Sequence, residues 1–444
     1  MRLCLAMPRA MAAALLLTLL LSAAPVYAQK NVSHPQPTLV EQAEAAMDRS
    51  EWHTAEELLA KSTASNPPGN PKDARAWFDL GYVMHAEKNY PEAIAAYRKA
   101  AQLQPQSFEC ALNLGLMLAH EKHSEAEKVL ERATTLKPST DHANEAMARA
   151  WAALAELREA KSGADAANSA RDAWSKAVAF SPTEDILVAY GQALERSGDA
   201  SGAEKQYRAA LAAKKDSRAA LVSLVNLYLK GKQLAQAEEV LNALVAATPA
   251  DENAHLQLGR VYSAEQKDDA AIVELKTALA LRPDDIEALR ELAYTEEHAR
   301  QWTDAEKSYR ALLEKEPQNA EALFGLGNSL LGQLKYKDAK ETFIRCVQLR
   351  GNWPEAFGQL ARAAQRDKDY ELAIRALDAR AKLAPELPST YFLRAICYDS
   401  LKAYKPAAEY YRKFLILAGG KYPDEEFEAR HRLKAIDPEE KNKR

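Results

Sequence analysis

The chain has 444 residues, of which 47% are hydrophobic and 27% are charged, and this balance excludes wholesale disorder. Its formal net charge of −4 shows no basic excess that would point to DNA or RNA as a partner. With only 16 glycines, the composition disfavours sandwiches, barrels and glycine-rich nucleotide folds, and it favours helices.

The first element in chain order is a predicted export signal over residues 1–28. Arg2 and Arg9 precede or flank an apolar run without charges, and small residues lie near its end. The run is shorter than the roughly 20 residues that span a bilayer. We expect cleavage after Ala28 and export to the periplasm or outside the cell, whereas an uncleaved signal would anchor the chain in a membrane. Residues 29–38 are expected to form a linker.

From residue 39 to residue 418 the chain repeats with a period of 34 residues. Large side chains recur four positions after a set of regularly spaced alanines, and prolines recur near the end of each period. The alanines are Ala237, Ala271, Ala305, Ala339, Ala373 and Ala407. Several registers that share one period indicate a repeat array rather than separate globular domains.

Each period is predicted to be a hairpin of two amphipathic helices. His255, Leu258 and Tyr262 lie on one face of a first helix because their spacing is i, i+3, i+7. We expect Gly259 to allow a close approach of the second helix, where Leu275 fills the gap. One hairpin cannot bury its own apolar face, so the hairpins must stack.

This period resembles the tetratricopeptide repeat, whose pattern is W-x2-L-G-x2-Y, then A-x3-F, then A and P. The second unit carries most of it through Trp77, Leu80, Gly81, Met84, Ala93, Tyr97, Ala100 and Pro105. Extending the register gives about eleven units, with an insertion in the fourth near residues 142–169. The resemblance implies an all-α fold, a right-handed superhelical α-solenoid of stacked antiparallel helix hairpins. It also implies a concave groove that is lined by first helices and binds proteins or peptides.

The last segment, residues 419–444, is predicted to be a capping helix followed by a charged tail. The helix is expected to run from Pro423 to Ile436, with acidic residues in its first turn. Phe427 and Leu433 are expected to pack on the last hairpin, as the cap of a repeat array requires.

A polar ladder is the candidate binding site. The residue that follows the close-contact position is turned about 100° away from the second helix, toward the groove. In six consecutive units these residues are Gln192, Asn226, Arg260, Tyr294, Asn328 and Arg362, and Asn253 and Arg290 lie on the same face. We hypothesise that the ladder pairs with the amides or carboxylates of an extended peptide. The alternative is a helix face that is merely solvated.

The second unit departs from a known binding mode of the family. Some tetratricopeptide repeats hold a partner's C-terminal carboxylate with Lys and Asn, and Phe78 and Tyr82 occupy those positions here. This mode is therefore not expected. Phe78, Tyr82 and His85 are interpreted either as an aromatic groove entrance or as core residues.

No enzymatic activity, cofactor or metal site is expected. His120 and His123 lack the HExxH spacing of a zinc site, and no phosphate-binding loop or nucleophile motif occurs. The cysteines that follow the signal are Cys110, Cys346 and Cys397, an odd number without CxxC spacing, so each is expected to be a buried small hydrophobe.

The sequence therefore predicts an exported, non-catalytic scaffold that binds a protein or peptide in its groove. A second interpretation is a subunit of an envelope assembly or polysaccharide-export machine. A third is a binder of glycan or of another non-peptide ligand, since the chain has 18 tyrosines. No nucleic-acid partner and no membrane span after signal cleavage are expected, and the oligomeric state is left open.

Overall fold

A computed structural model describes residues 37–65, 71–161 and 163–437. Within these ranges the chain forms 23 α-helices and no strand. Twenty-two helices pair into eleven antiparallel hairpins, and the last helix follows the eleventh. The predicted signal over residues 1–28, most of the predicted linker and the tail after residue 437 lie outside the described residues. The chain divides into two compact units between Ala247 and Thr248.

The first unit contains hairpins 1–6. In chain order its helices are α1 (Leu39–Asp48), α2 (Trp52–Ser65), α3 (Pro71–Ala86), α4 (Tyr90–Leu103), α5 (Phe108–His120), α6 (Ala126–Thr134), α7 (Ala143–Glu159), α8 (Ala164–Phe180), α9 (Glu184–Arg196), α10 (Ala200–Ala213), α11 (Arg218–Lys230) and α12 (Leu234–Ala247). The extra residues of hairpin 4 lie in α7 and α8, which have 17 residues each.

The second unit contains hairpins 7–11 and one further helix. Its helices are α13 (Glu252–Ala264), α14 (Asp268–Leu281), α15 (Ile286–His298), α16 (Trp302–Lys315), α17 (Ala320–Gly332), α18 (Tyr336–Leu349), α19 (Pro354–Arg366), α20 (Tyr370–Ala381), α21 (Pro388–Ser400), α22 (Tyr404–Ala418) and α23 (Pro423–Ile436). Helix α23 packs on α22.

A small residue on the first helix sets the distance between the two helices of a hairpin. A Cβ atom on Gly259 would lie 2.7 Å from Leu275 Cγ and 3.3 Å from the Ala271 carbonyl oxygen. Leu275 itself is fully buried. The predicted close contact at Gly259 is confirmed, and any larger residue would force the helices apart.

Within each unit, neighbouring hairpins share their cores. Each second helix packs on the first helix of the following hairpin, and several first helices also contact one another directly. Tyr309 of α16, Leu326 of α17 and Phe343 of α18 belong to one buried cluster. Burial of apolar surface between hairpins contributes about 25 cal/mol per Å², so each hairpin is stabilised mainly by its neighbours.

The turn between the two helices of a hairpin places one residue in the left-handed region. In nine of the eleven hairpins, all except hairpins 4 and 5, this residue is not glycine. In chain order the nine residues are Ser50, Lys88, Lys122, Lys232, Gln266, Arg300, Leu334, Lys368 and Lys402. Residues with a Cβ atom are strained at positive φ. Leu334 is both strained and 67% exposed, so its side chain gains little from burial.

Helix α23 begins and ends where the sequence predicts, but one of its two expected contacts is wrong. Leu433 is buried together with Glu426 and Ala429, whereas Phe427 is 74% exposed. Glu426, Ala429 and Leu433 share a face at i, i+3, i+7 spacing, and Phe427 lies about 100° away from it. Phe427 stacks on His431 instead.

All three cysteines among the described residues are buried and free, as the sequence predicts. The thiol of Cys346 donates to the Ala320 carbonyl oxygen at 3.4 Å. None of the helices in the described ranges combines the length and the apolar composition that a membrane crossing requires.

Candidate functional site

The predicted ladder defines a surface that we call the first-helix face. This face comprises Asn253, Arg260, Arg290, Tyr294, Asn328 and Arg362 of the second unit, and the ladder residues Gln192 and Asn226 belong to the first unit. In the first unit, Gln192 of α9 and Asn226 of α11 are half-buried, and both interact with other groups of the chain. The first helices α9 and α11 contact each other directly, which places the two residues on neighbouring elements.

In the second unit, Arg260 joins two hairpins rather than facing solvent. Its side chain is 13% exposed, and its Nε atom donates to Glu291 Oε1 at 3.0 Å. A second ion pair links it to Glu287. Both carboxylates belong to α15, the first helix of the following hairpin. A half-buried guanidinium that pairs with two carboxylates is held in place by these ion pairs.

Three other ladder residues also have partners within the second unit. Asn328 Nδ2 donates to Glu297 Oε1 at 3.0 Å, which joins α17 to α15. Arg290 is exposed and pairs with Glu316 at 3.2 Å, and Asn253 Nδ2 donates to the neighbouring Glu252 at 3.4 Å. Arg260 and Asn328 therefore already pair with carboxylates of adjacent first helices, because side chains on these helices are close enough to reach each other.

Besides Arg290, which is paired with Glu316, Tyr294 and Arg362 are the ladder residues of the second unit that are open to solvent. Tyr294 is 58% exposed, and its ring stacks on His298 with centroids 6.5 Å apart. Arg362 is exposed on α19. An exposed aromatic ring and an exposed guanidinium supply apolar contact area and hydrogen-bond donors to a bound segment.

The first unit holds a second polar group that the ladder does not include. We call it the Tyr97 cluster: Asp79 and Tyr82 and His85 of α3, Tyr97 of α4 and Arg149 of α7. Tyr97 is 1% exposed, yet its hydroxyl makes no hydrogen bond, and neither does Asp79 Oδ2. Asp79, Tyr82 and Arg149 all act electrostatically on the Tyr97 hydroxyl.

Burial dominates the electrostatics of the cluster. It raises the pKa of Asp79 from 3.8 to about 7, with a further increase from Glu44 and an opposing effect from Arg75. Burial also lowers the pKa of Arg149, which is opposed by Tyr97. The pKa of His85 is lowered by burial and then by the neighbouring His120 and Arg149. Near neutral pH the cluster therefore combines a buried cation with a carboxyl group that is only partly ionised.

The aromatic residues of the second hairpin take part in packing. Phe78 meets the Tyr97 ring edge-on at 5.5 Å and belongs to the rim of the core. Tyr82 lies 6.1 Å from Trp52, and His85 lies 6.1 Å from Tyr90. Of the two interpretations of these residues, core packing describes Phe78, while Tyr82 and His85 remain partly exposed.

One sequence signal could have revealed the Tyr97 cluster. In three other hairpins a buried tyrosine of the second helix has an acidic residue twelve positions earlier: Tyr207 with Glu195, Tyr309 with Glu297, and Tyr411 with Asp399. Tyr97 has His85 at that position. The described residues contain no group of three or more His, Cys, Asp or Glu that could hold a metal ion.

Stacked hairpins whose first helices contact one another define a helical-repeat protein of the α-solenoid class. Models described as tetratricopeptide repeat match residues 40–108, 194–261, 252–285 and 298–345. The chain is a tetratricopeptide repeat protein, and the resemblance that its sequence indicated is confirmed.

Two curated proteins are similar over part of their length. Cellulose synthase operon protein C from Xanthomonas axonopodis pv. citri (strain 306) is 28% identical over 287 residues, which cover 62% of this chain and 19% of that protein. Protein O-mannosyl-transferase TMTC1 from Homo sapiens is 25% identical over 187 residues, which cover 41% and 21%. The chain thus spans about a fifth of the length of the curated relatives it matches.

Solved structures share parts of the fold. PilF of Pseudomonas aeruginosa has 22% identity and a TM-score of 0.39, covering 49% of this chain and 98% of that one. YrrB, described as a TPR protein with an unusual peptide-binding site, has 17% identity and a TM-score of 0.38, covering 47% and 99%.

Proposed function

We propose that the protein is a non-catalytic scaffold that binds an extended segment of a partner protein along the first-helix face. The proposal is supported mainly by the exposure of Tyr294 and Arg362 on this face. Other ladder residues on the face form bonds to neighbouring hairpins. Arg260 and Asn328 stiffen the surface through their ion pair and hydrogen bond to adjacent first helices. A pre-organised surface loses less entropy when it binds a segment.

The setting that we propose is outside the cytoplasm, after cleavage of the signal over residues 1–28. An alternative role in an envelope assembly or polysaccharide-export machine is favoured by the similarity to a protein named for a cellulose synthase operon. In that role the first-helix face would hold another subunit of the machine. The binding chemistry is the same in both cases, and only the identity of the partner differs.

The test is affinity capture from an envelope extract with Tyr294→Ala and Arg362→Glu combined in one variant. Because both side chains are exposed, the variant should keep its helical spectrum and should lose at least about nine-tenths of a protein that the wild type retains. Arg375→Glu is a matched control, since Arg375 is exposed on α20, the second helix of the same hairpin as Arg362.

Equal capture by the wild type and the double variant would refute the proposal. Retention of defined envelope subunits would support the assembly role. Retention of saccharide without protein would favour the glycan-binding interpretation of the groove instead.

A further inference from the structure

Two arginines of α19 present exposed guanidinium groups that have no acidic partner within the described residues. Arg362 belongs to the first-helix face, and Arg366 follows it one helical turn later; both side chains are exposed. Among the described residues neither side chain takes part in an ion pair or a side-chain hydrogen bond. At i, i+4 spacing their Cβ atoms lie about 6 Å apart, so both guanidinium groups can reach one bound carboxylate.

Arg260 occupies the same place in hairpin 7, but it is paired. Its side chain binds Glu291 at 3.0 Å and also binds Glu287, and these residues lie 31 and 27 positions later in the chain. Both carboxylates belong to α15, the first helix of the next hairpin, which α13 contacts directly. In hairpin 7 the chain itself therefore supplies the acidic groups that the arginine binds.

The next hairpin offers Arg362 no carboxylate at the two corresponding positions. The residues 27 and 31 positions after Arg362 are Ser389 and Leu393 of α21. Helix α19 contacts α21 directly, as α13 contacts α15. Ser389 is exposed, whereas Leu393 is partly buried against the core of the second unit. A short hydroxyl and an apolar side chain thus replace the two carboxylates.

The preceding hairpin is also apolar where another ladder residue finds an acceptor. Asn328 of α17 donates to Glu297, which lies 31 positions earlier on α15. The residue 31 positions before Arg362 is Leu331 of α17, and it packs against the same core as Leu393. Arg362 therefore has a leucine at the corresponding place on each neighbouring first helix, where the paired ladder residues have carboxylates.

Arg366 shows the same loss of an acidic partner. His298 has the corresponding place in hairpin 8, and its Nδ1 atom lies 2.7 Å from Oδ2 of Asp268, which is 30 positions earlier. The residue 30 positions before Arg366 is Tyr336. The two exposed arginines thus lie where the acidic partners of three equivalent contacts are all replaced, so an external anion can pair with both.

We propose that Arg362 and Arg366 form a subsite for an acidic side chain of the bound segment, whose apolar neighbours contact Leu331 and Leu393. The partner's carboxylate takes the place that the chain's own carboxylates take in the equivalent contacts of hairpins 7 and 8. All four residues lie within the second unit. The inference rests on the proposed function, because the acidic side chain belongs to a segment that lies along the first-helix face.

Random dodecapeptides displayed on phage are the probe. Peptides are selected on the full chain and then depleted on an Arg362→Gln/Arg366→Gln variant, which removes both charges and keeps polar side chains. We expect the peptides that survive depletion to share an Asp or Glu next to an apolar residue. If the variant removes every selected peptide, the inference fails, and the proposed function stands as long as Tyr294→Ala weakens those peptides. If the wild type selects no peptide, the proposed function fails and the inference fails with it.

A carboxylate returned to α21 should block the subsite. Ser389→Glu places an acidic residue 27 positions after Arg362, as Glu287 follows Arg260. Ser389 is exposed in the first turn of α21, where the helix dipole favours Glu, so the fold should be intact. We expect about tenfold weaker binding of a surviving peptide, measured by fluorescence anisotropy. Ser389→Gln is the matched control, with an expected change below about twofold, and equal binding by both variants would overturn the inference.

Exchange of the peptide's acidic residue for its amide then assigns the contact. The exchange should weaken binding to the wild type about tenfold, because it removes a charge-assisted hydrogen bond. It should have little effect on the Arg362→Gln/Arg366→Gln variant, since the two cations are already absent. Equal losses on the two proteins would overturn the assignment and place the acidic residue elsewhere on the chain.

Discussion

Hairpins 2 and 8 place a buried tyrosine at the same point of the same architecture, but the two hydroxyls have different surroundings. Tyr309 donates to Glu297, and Glu297 also accepts from Asn328 of the next hairpin. Tyr97 has no such acceptor, and its hairpin carries His85 where hairpin 8 carries the acidic residue. The period of the array fixes where the tyrosine lies, while one residue twelve positions earlier decides whether its hydroxyl is satisfied.

The difference between the Tyr309 and Tyr97 hydroxyls affects the stability of their hairpins. A satisfied pair such as Tyr309–Glu297 links two neighbouring hairpins and contributes to folding. An unsatisfied hydroxyl such as that of Tyr97 destabilises the folded protein. Four changes test this contrast, from the largest expected effect to the smallest.

The largest effect is a pH dependence that comes from Asp79 in hairpin 2. Burial raises its pKa from 3.8 to about 7, so the folded chain keeps a proton that the unfolded chain loses above about pH 4. Stability therefore falls as the pH rises from about 4 to 7, by up to about 4 kcal/mol. Asp79→Asn should reduce this slope, as measured by the urea midpoint of helix loss between pH 4.5 and 8. Glu156, whose pKa is also raised to about 7 by burial, should leave a smaller slope of the same sign.

The control for this prediction lies in the second unit. Burial of Glu306 is outweighed by hydrogen bonds from Lys335, Gln333 and Arg310, so its pKa is lowered to about 2. Its stabilising contribution is present above about pH 4.5 and is lost only as the pH falls through about 2. Glu306→Gln should change stability without changing the slope between pH 4.5 and 8. An unaltered slope in Asp79→Asn would contradict the assignment to Asp79.

The second change fills the space beside Gly325 that the ring of Tyr309 occupies. A Cβ atom on Gly325 would lie 2.1 Å from Tyr309 Cζ, so Gly325→Ala should displace the ring and its bond to Glu297. We expect a loss of about 2–3 kcal/mol in the free energy of unfolding, measured by urea denaturation. Gly358→Ala is the matched change, because its Cβ would lie 3.8 Å from Arg380. It should be neutral or stabilising by up to about 1 kcal/mol.

The third change compares the two hydroxyls directly. Tyr309→Phe leaves Glu297 without one donor and should lower stability by about 1–2 kcal/mol. Tyr97→Phe removes an unsatisfied group and keeps the ring, so stability should be unchanged or slightly higher. Both are measured as shifts in the urea midpoint under identical conditions. A similar loss in both variants would mean that the Tyr97 hydroxyl has a partner in solution.

The smallest effect concerns the left-handed turn residue, compared between hairpin 2 of the first unit and hairpin 9 of the second unit. Lys88 and Leu334 both have a φ of 62°, in the turns of hairpins 2 and 9. Lys88→Gly and Leu334→Gly should each raise stability by about 0.5–1 kcal/mol, because glycine relieves the strain but loses more entropy on folding. Leu334→Ala keeps the Cβ atom and should bring no gain. Thermal melting followed by circular dichroism resolves the order of these variants.

The sequence predicted the architecture because its signal is repeated. The 34-residue period and the close contact at Gly259 depend on residue size and helical spacing, which can be recognised without coordinates. The bounds of α23 follow from Pro423 and from the acidic residues of its first turn. The expected burial of Phe427 is wrong because Phe427 lies about 100° away from the helix face that Ala429 and Leu433 bury.

The candidate site was predicted only in part, because pairing between hairpins depends on side-chain reach. The spacing places Arg260 and Asn328 on the first-helix face, but it does not show that Glu291 and Glu297 are within hydrogen-bond distance. The Tyr97 cluster joins residues of α3, α4 and α7 that no single period connects. The replacement of the acidic residue by His85 becomes visible only when hairpin 2 is compared with hairpins 5, 8 and 11.

The contacts between first helices have a consequence for the order of folding. Arg260 reaches Glu287 across 27 positions, and Lys230 reaches Glu195 across 35. The entropic cost of closing a loop rises only slowly with its length. A newly formed hairpin can therefore form these side-chain contacts soon after its neighbour folds. Folding in such a unit can nucleate at any adjacent pair of hairpins and propagate in either direction.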